Sequence, residues 1–287
     1  MIRKCRKSII LRIMIMALVL TQIGCAMKKE EIGLFSWSFS RAFEEKEKLF
    51  EMMKEMGVHS LYQEFPEDTP QEVIVDFLKL ANMYKINVYY LAGAPEWGIE
   101  KSSGKMMTYI EHIITLNESF PERIGFKGII LDVEPYLTDE WDKDQEGVMN
   151  QYVKIMEKAY KIITENHLEG LICIPYFYDS LGYEKQLETL VQNGCDTIAV
   201  MNYYKEKEQE HIVKEMELAH QYSKKIIQIY ELKAPGTHGL TEKSTYYHEG
   251  LQPILKSWES LKGFFNYKLF SFALHDYEAL KEVVNIE

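Results

Sequence analysis

The feature that most constrains the fold is a regular alternation of two kinds of segment. From Ile32 onward, short apolar runs alternate with longer amphipathic stretches, and the pair repeats about every 33 residues, the length of a strand followed by a helix. Several runs are almost continuously apolar, as strands buried on both faces are. The eight runs are Ile32–Phe39, Ser60–Glu64, Asn87–Ala92, Phe126–Glu134, Leu171–Phe177, Thr197–Tyr203, Lys225–Glu231 and Leu269–His275.

The stretches between these runs have the signals of helices. In one of them Thr69 is placed to cap a helix, Pro70 suits its first turn, and apolar residues recur from Val73 at helical spacing. No glycine-rich phosphate loop follows any run, which argues against an open sheet that binds a dinucleotide. Eight strand–helix units in 287 residues therefore predict one α/β domain, a (β/α)₈ TIM barrel over residues 32–287.

Residues 1–24 have the pattern of a secretory signal peptide. A basic start is followed by the uncharged run Ile13–Ile23, which is short for a membrane span. Gly24-Cys25 ends this run and resembles a bacterial lipobox, which implies lipidation of Cys25, a linker over residues 25–31, and export to the outer side of the cell membrane. Ordinary cleavage after Ala26 and an uncleaved anchor remain the alternatives.

Charge and cysteine content narrow the classes of partner and cofactor. The formal net charge of −11 disfavours nucleic acid and anionic substrates, whereas a neutral glycan stays compatible. The 13% of aromatic residues includes side chains of the kind that stack on sugars. Cys173 and Cys195 are expected to be small buried hydrophobes, with a disulfide as the alternative. Because the chain has no CxxC or HxxxH pattern, we predict no metal site, and we expect no cofactor.

The active site of such a barrel lies at the carboxyl ends of its strands. Polar and aromatic residues stand at or just after the ends of most of the eight runs. Carboxylates and aromatic rings that meet on one rim are the groups that a carbohydrate site uses. The expected substrate-binding residues are Trp37, Glu64, Trp97, Tyr136, Tyr176, Asn202, His275 and Asp276.

The fourth run ends in two carboxylates, Asp132 and Glu134. Because side chains alternate along a strand, the two point the same way. Two close carboxylates cannot both ionise cheaply, so one pKa is raised, and a raised pKa is what a general acid needs near neutrality. The alternative is a structural pair that caps the next helix or binds a cation.

The fourth and sixth runs resemble motifs of glycoside hydrolase family 18. Gly128, Asp132 and Glu134 match the glycine, the last aspartate and the glutamate of its D-G-x-D-x-D-x-E signature, and Met201-Asn202-Tyr203 is similar to its M-x-Y motif. The resemblance implies that Glu134 protonates the leaving oxygen, that Asp132 orients the N-acetyl group of the substrate, and that Tyr203 stabilises the reaction. The tryptophan that floors the family's sugar site from strand eight has no counterpart in this chain.

Glu231 offers a second mechanism. It ends the seventh run, where many retaining glycosidases carry a nucleophilic glutamate opposite an acid/base glutamate on strand four. Glu134 and Glu231 resemble that pair, which requires carboxyl groups about 5–5.5 Å apart. The alternative is that Glu231 binds the loop that contains Lys233 or His238.

These features favour a glycoside hydrolase that acts on a glycan at the cell surface. The alternative is a non-catalytic barrel, a surface lipoprotein that binds carbohydrate or another partner. A metal-dependent amidohydrolase is disfavoured, because the first run lacks the paired histidines that such barrels use.

Overall fold

The computed structural model describes residues 31–100 and 104–286, and in them eight parallel strands close into one barrel. Each strand pairs in parallel with its neighbour in the chain, and the first strand pairs with the last. The single (β/α)₈ barrel is therefore confirmed. The strands are β1 Ile32–Ser36, β2 Val58–Glu64, β3 Asn87–Ala92, β4 Gly128–Leu131, β5 Glu169–Pro175, β6 Thr197–Met201, β7 Lys225–Glu231 and β8 Phe270–His275.

The predicted signal peptide and the lipidation of Cys25 lie outside the described residues and stay predictions. Among the helices that are described, none is both long and apolar enough to span a bilayer.

The helices fill the connections between the strands. They are α1 Phe39–Glu44, α2 Lys46–Met56, α3 Gln71–Tyr84, α4 Gly104–Glu118, α5 Asp139–Lys143, α6 Gln145–Glu165, α7 Glu184–Asn193, α8 Glu208–His211, α9 Val213–Gln221, α10 Leu251–Phe265 and α11 Tyr277–Ile286. Short 3₁₀ turns include Pro95–Ile99 after β3 and Pro135–Leu137 after β4. The predicted capping of α3 by Thr69 is wrong, because Pro70 stands at the N-cap and the helix start receives no side-chain cap bond.

Most strands differ from the predicted runs at their ends. β4 stops at Leu131, three residues before Glu134, where the predicted run ends. The backbone N–H of Asp132 still donates to Ala92 O at 2.9 Å, but the chain then leaves the sheet and Pro135 opens a 3₁₀ turn. The two carboxylates therefore stand on backbone that has just left the sheet.

The core has two layers, as the alternation of side chains along the strands requires. One layer lies between the barrel and the surrounding helices. The other fills the barrel with a smaller set of side chains, among them Phe35, Tyr62, Ile130, Met201 and Ile229. The polar residues at the carboxyl ends of the strands lie directly above this inner layer.

The two cysteines are buried and free, which confirms the expectation of small buried hydrophobes. Cys173 belongs to the inner layer of the barrel and Cys195 to the outer layer. Cys195 precedes β6 rather than lying within it, and its thiol donates to Leu190 O at 3.6 Å.

Gly93 holds the end of β3 against the start of the carboxylate segment. A Cβ atom at Gly93 would approach the carbonyl oxygen of Asp132 to 1.9 Å, so only glycine fits without a backbone shift. Gly93→Ala is expected to lower the free energy of unfolding by about 1–3 kcal/mol, measured by urea denaturation. Gly263→Ala is the control, because nothing lies within 4 Å of that position. Equal stability of the two variants would contradict the close packing at Gly93.

Candidate active site

The rim residues stand one step above the inner layer of the barrel. In six strands, the residue two positions after an inner-layer residue points the same way and lies at the carboxyl end of the strand. The inner-layer residues are Phe35, Tyr62, Ile130, Met201, Ile229 and Ala273. Trp37 and Tyr203 pack directly on that layer. Most of the set is only partly buried, so solvent reaches this end of the barrel. The residues at this level are Trp37, Glu64, Asp132, Tyr203, Glu231 and His275.

Asp132 has an environment that opposes ionisation. Its Oδ1 atom is buried and accepts no hydrogen bond from a described residue. Burial raises the pKa of Asp132 from 3.8 to about 7, and the negative charge of Glu134 acts in the same direction. The Cys173 thiol and the charge of Lys233 act in the opposite direction. The prediction that one carboxyl of this pair has a raised pKa is confirmed, and that carboxyl is Asp132.

Glu134 is partly open to solvent and is held at one oxygen. The hydroxyl of Tyr136 donates to its Oε2 atom, while Oε1 receives no hydrogen bond from a described residue. Burial raises the pKa of Tyr136, and the Glu134 charge adds to this, so the phenol stays protonated as a donor. One carboxylate oxygen of Glu134 is thus free to meet a ligand.

Tyr203 lies close to the acidic groups on two sides of the rim. Burial raises its pKa well above the ordinary value, and the charges of Glu231 and Asp132 act in the same direction. Its hydroxyl makes no hydrogen bond to any described residue, and the side chain is only partly buried. The phenol is therefore an unused donor beside Asp132.

Glu231 and His275 are joined in a hydrogen-bonded chain that ends at Trp37. His275 Nδ1 lies 2.9 Å from Glu231 Oε2, and Trp37 Nε1–H donates to His275 Nε2 at 3.2 Å. Glu231 Oε1 accepts the backbone N–H groups of Leu232 at 3.0 Å and Lys233 at 2.7 Å. The alternative in which Glu231 binds the loop that follows it therefore holds for Oε1, whereas Oε2 contacts His275.

Asn202 and Asp276 do not reach the open rim. Asn202 is buried, donates to Glu208 O at 2.8 Å and contacts His211 Nδ1 at 3.2 Å. Asp276 is buried, pairs with Lys233 Nζ at 3.3 Å and accepts from the backbone N–H of Ala279. Their polar atoms are already bonded within the protein, and a role of these two residues in substrate binding stays a prediction.

No hydrogen bond or ring contact among the described residues joins Tyr176, Trp97 or Glu64 to the carboxylate pair. Tyr176 stacks on His211 at 4.1 Å with their rings 12° from parallel. Trp97 packs against Tyr109 and lines a groove of about 980 Å³ between the loops after β2 and β3. Burial raises the pKa of Glu64, and its carboxylate receives no hydrogen bond from a described residue. Trp97 therefore belongs to a neighbouring groove.

Sequence reasoning missed Cys173, which lies beside Asp132. The register that pairs Ile130 with Leu171 puts Asp132 and Cys173 at the same level two residues later, so the register was the signal that could have revealed it. Within the described part of the chain, no group of three or more His, Cys, Asp or Glu residues is arranged to hold a metal ion.

Comparisons with known proteins give the fold alone. No protein-family model and no curated protein matches the chain. A class V chitinase mutant from Cycas revoluta in complex with (GlcNAc)₃ is similar at 11% identity over 88% of this chain and 97% of that one, with a TM-score of 0.54. A chitinase from Chromobacterium violaceum is similar at 10% identity over 89% and 99% of the two chains, with a TM-score of 0.53.

An aldolase is similar to nearly the same degree. The deoxyribose phosphate aldolase from Aeropyrum pernix aligns at 10% identity over 93% of this chain and 95% of that one, with a TM-score of 0.51. One barrel fold carries many chemistries, so the function must be argued from the site. The chain therefore has a (β/α)₈ barrel like those of glycoside hydrolases, and like those of enzymes from other classes.

Proposed function

We propose that the protein is a glycoside hydrolase in which Glu134 protonates the leaving oxygen and Asp132 assists. The observation that carries the proposal is the carboxylate pair at the open end of β4, whose Asp132 has a pKa raised to about 7. A carboxyl group that keeps its proton near neutrality is the central requirement for acid catalysis of glycoside cleavage. The likeness to chitinase structures is compatible with this chemistry and does not single it out.

The proton belongs to the pair rather than to one residue. Close carboxyl groups titrate together, so the proton that Asp132 holds in the unliganded site is available to the pair as a whole. Glu134 is partly open to solvent, and no described residue donates to its Oε1 atom. When a glycosidic oxygen lies against that atom, transfer of the proton to Glu134 makes it the donor and leaves Asp132 ionised.

Asp132 and Tyr203 would then act on the attacking group. In a substrate-assisted route, the acetamido oxygen of the sugar attacks its own anomeric carbon, and the positive charge that develops on the acetamido group needs a nearby carboxylate. Asp132 supplies that charge, and the unused Tyr203 hydroxyl donates to the same group. We therefore propose a 2-acetamido sugar glycan as substrate.

The proposal also includes where the protein acts in the cell. The signal pattern of residues 1–24 and Cys25 supports an exported, lipid-anchored protein, and a glycan outside the cytoplasm is then within reach.

The proposal is tested by incubating the purified barrel with aryl glycosides and natural glycans of the acetamido and neutral classes. We expect hydrolysis of the acetamido class. Hydrolysis confined to sugars without an acetamido group would contradict the substrate-assisted route. Measurable glycan binding without hydrolysis of any substrate would contradict catalysis and favour a carbohydrate-binding lipoprotein.

The pH dependence of hydrolysis follows from the raised pKa of Asp132. Below about pH 7 Asp132 keeps its proton, whereas above it that proton is lost and the site has none to supply to the leaving oxygen. We expect kcat/KM to fall about tenfold per pH unit above that value. An aryl glycoside with a highly acidic leaving group is the control, because it needs little protonation and should lose less. A rate that stays constant to pH 9 for a natural glycan would contradict the assignment.

A further inference from the structure

We infer that Glu231 and His275 are positioning residues that fix the indole of Trp37 as a stacking platform for a sugar ring, and that Glu231 is not a nucleophile. This inference rests on the proposed function and deepens it. It chooses between the two mechanisms that the sequence left open, and it names the aromatic group that the sugar would meet.

The first step is the tautomer of His275. An indole N–H can only donate, so the 3.2 Å contact from Trp37 makes His275 Nε2 an acceptor without a proton. In the neutral ring the proton must then lie on Nδ1, which donates to Glu231 Oε2 at 2.9 Å. Both ring nitrogens are engaged, and neither is left for a sugar hydroxyl. The expectation that His275 itself binds substrate is thereby replaced by a role through Trp37.

The second step is the state of Glu231. Its side chain is 3% exposed, and three donors hold it, namely the backbone N–H groups of Leu232 and Lys233 and the His275 ring. A nucleophilic carboxylate must present a free oxygen to the anomeric carbon. Glu231 is poorly placed to do so, because its side chain is buried and each oxygen already accepts from the protein. Its charge orients the imidazole instead, as the acid partner of a histidine does in many sites.

The third step is the exposure of Trp37. Its ring packs against the inner layer of the barrel, while the residue remains partly open to solvent at the rim. Tyr203 lies beside the His275 ring, with centroids 6.3 Å apart. An indole held at its N–H cannot turn about its side-chain torsions, so its free face stays in one plane. A fixed aromatic face on the same rim as the carboxylate pair suits the apolar face of a pyranose ring.

The anchoring extends into the scaffold. Lys233, whose N–H holds Glu231, pairs through Nζ with Asp276 at 3.3 Å. Asp276 accepts from the N–H of Ala279 in the first turn of α11. Hydrogen bonds and an ion pair therefore connect Trp37, just after β1, to β7, β8 and α11. A substitution at Glu231 is thus expected to alter the position of the Trp37 ring.

The decisive experiment compares steady-state kinetics of Glu231→Gln with wild type. The amide has one acceptor oxygen in place of two, so either His275 or the backbone N–H groups of Leu232 and Lys233 lose their partner and Trp37 is held less firmly. We therefore expect kcat within about tenfold of wild type and a rise in KM, whereas loss of a true nucleophile lowers kcat by orders of magnitude. Trp37→Ala should weaken glycan binding by about tenfold, the weight of one aromatic contact. A fall in kcat of a thousandfold or more in Glu231→Gln, with KM unchanged, would overturn the inference.

A matched control pair exists on the surface. His248 Nδ1 lies 3.1 Å from Glu242 Oε1, but both side chains are largely exposed. Glu242→Gln should change neither KM nor kcat.

Nitrogen-15 NMR of the imidazoles separates failure of this inference from failure of the proposed function. We expect His275 to carry its proton on Nδ1 in the full-length protein. If the wild-type protein hydrolyses no glycan, the proposed function fails. The inference still stands if that tautomer is observed and glycan binding, followed by tryptophan fluorescence, depends on Trp37. A proton on Nε2, or glycan binding that is unchanged in Trp37→Ala, would overturn it.

Discussion

Glu134→Gln is expected to lower kcat for a natural glycan by roughly 10²–10⁴-fold, the usual contribution of a general acid. Glutamine keeps the size of the side chain and still accepts from the Tyr136 hydroxyl, so the local packing is preserved. It cannot deliver a proton to the leaving oxygen. KM should change little, because the substitution removes a group whose interaction strengthens in the transition state. Steady-state kinetics with a purified oligosaccharide measure both parameters.

Two comparisons make this result specific to acid catalysis. Glu140→Gln alters an exposed carboxylate on the nearby helix α5 and should leave kcat unchanged. In Glu134→Gln itself, an aryl glycoside with a highly acidic leaving group should recover much of the lost rate, since it departs without protonation. An equal loss for good and poor leaving groups would mean that Glu134 acts in some other way, and an unchanged kcat would remove it from the mechanism.

The fold was predictable because it depends on patterns that are local in sequence. Apolar runs at a βα spacing define eight strands, and β3 and β7 have the predicted bounds. The errors lie at strand ends, as in β4, which stops at Leu131, the partner of the last residue of β3, Ala92. That information belongs to the neighbouring strand, so reading one run by itself cannot supply it.

The site was predictable only in part, for a related reason. The sequence places Asp132 and Glu134 at the end of the fourth run, and alternation along the sixth run already puts Asn202 on the face opposite Met201 and Tyr203. Neither pattern reveals that Glu231 and His275 are hydrogen-bonded to each other and to Trp37. Such facts depend on the register between strands and on loop backbone, since the N–H groups that hold Glu231 come from the residues just after β7. Residue type predicts chemistry, whereas availability for chemistry depends on partners that only the fold supplies.

Asp132→Asn is expected to stabilise the protein above neutral pH while it reduces activity. The folded protein binds the Asp132 proton more tightly than the unfolded chain, because the pKa rises from 3.8 to about 7 on folding. Stability therefore falls as pH rises through this window, and the whole cost is present above about pH 7. A rise of that size corresponds to roughly 4 kcal/mol, so the neutral amide should regain on the order of 2–4 kcal/mol at pH 8 and little at pH 4.

Urea denaturation of wild type and variant at pH 4 and pH 8 measures this difference directly. Asp142→Asn is the control, since Asp142 is exposed on α5 and should show no comparable gain. Equal unfolding free energies of Asp132→Asn and wild type at pH 8 would mean that the folded protein stabilises the ionised Asp132 carboxylate. The pKa of Asp132 would then not be raised, and the proposed mechanism would have no source for the proton. A gain in stability together with a loss of activity has one physical reading. The fold buries the Asp132 carboxyl and holds it near the charge of Glu134, and a site that is tolerated at such a cost is maintained for its chemistry rather than for packing.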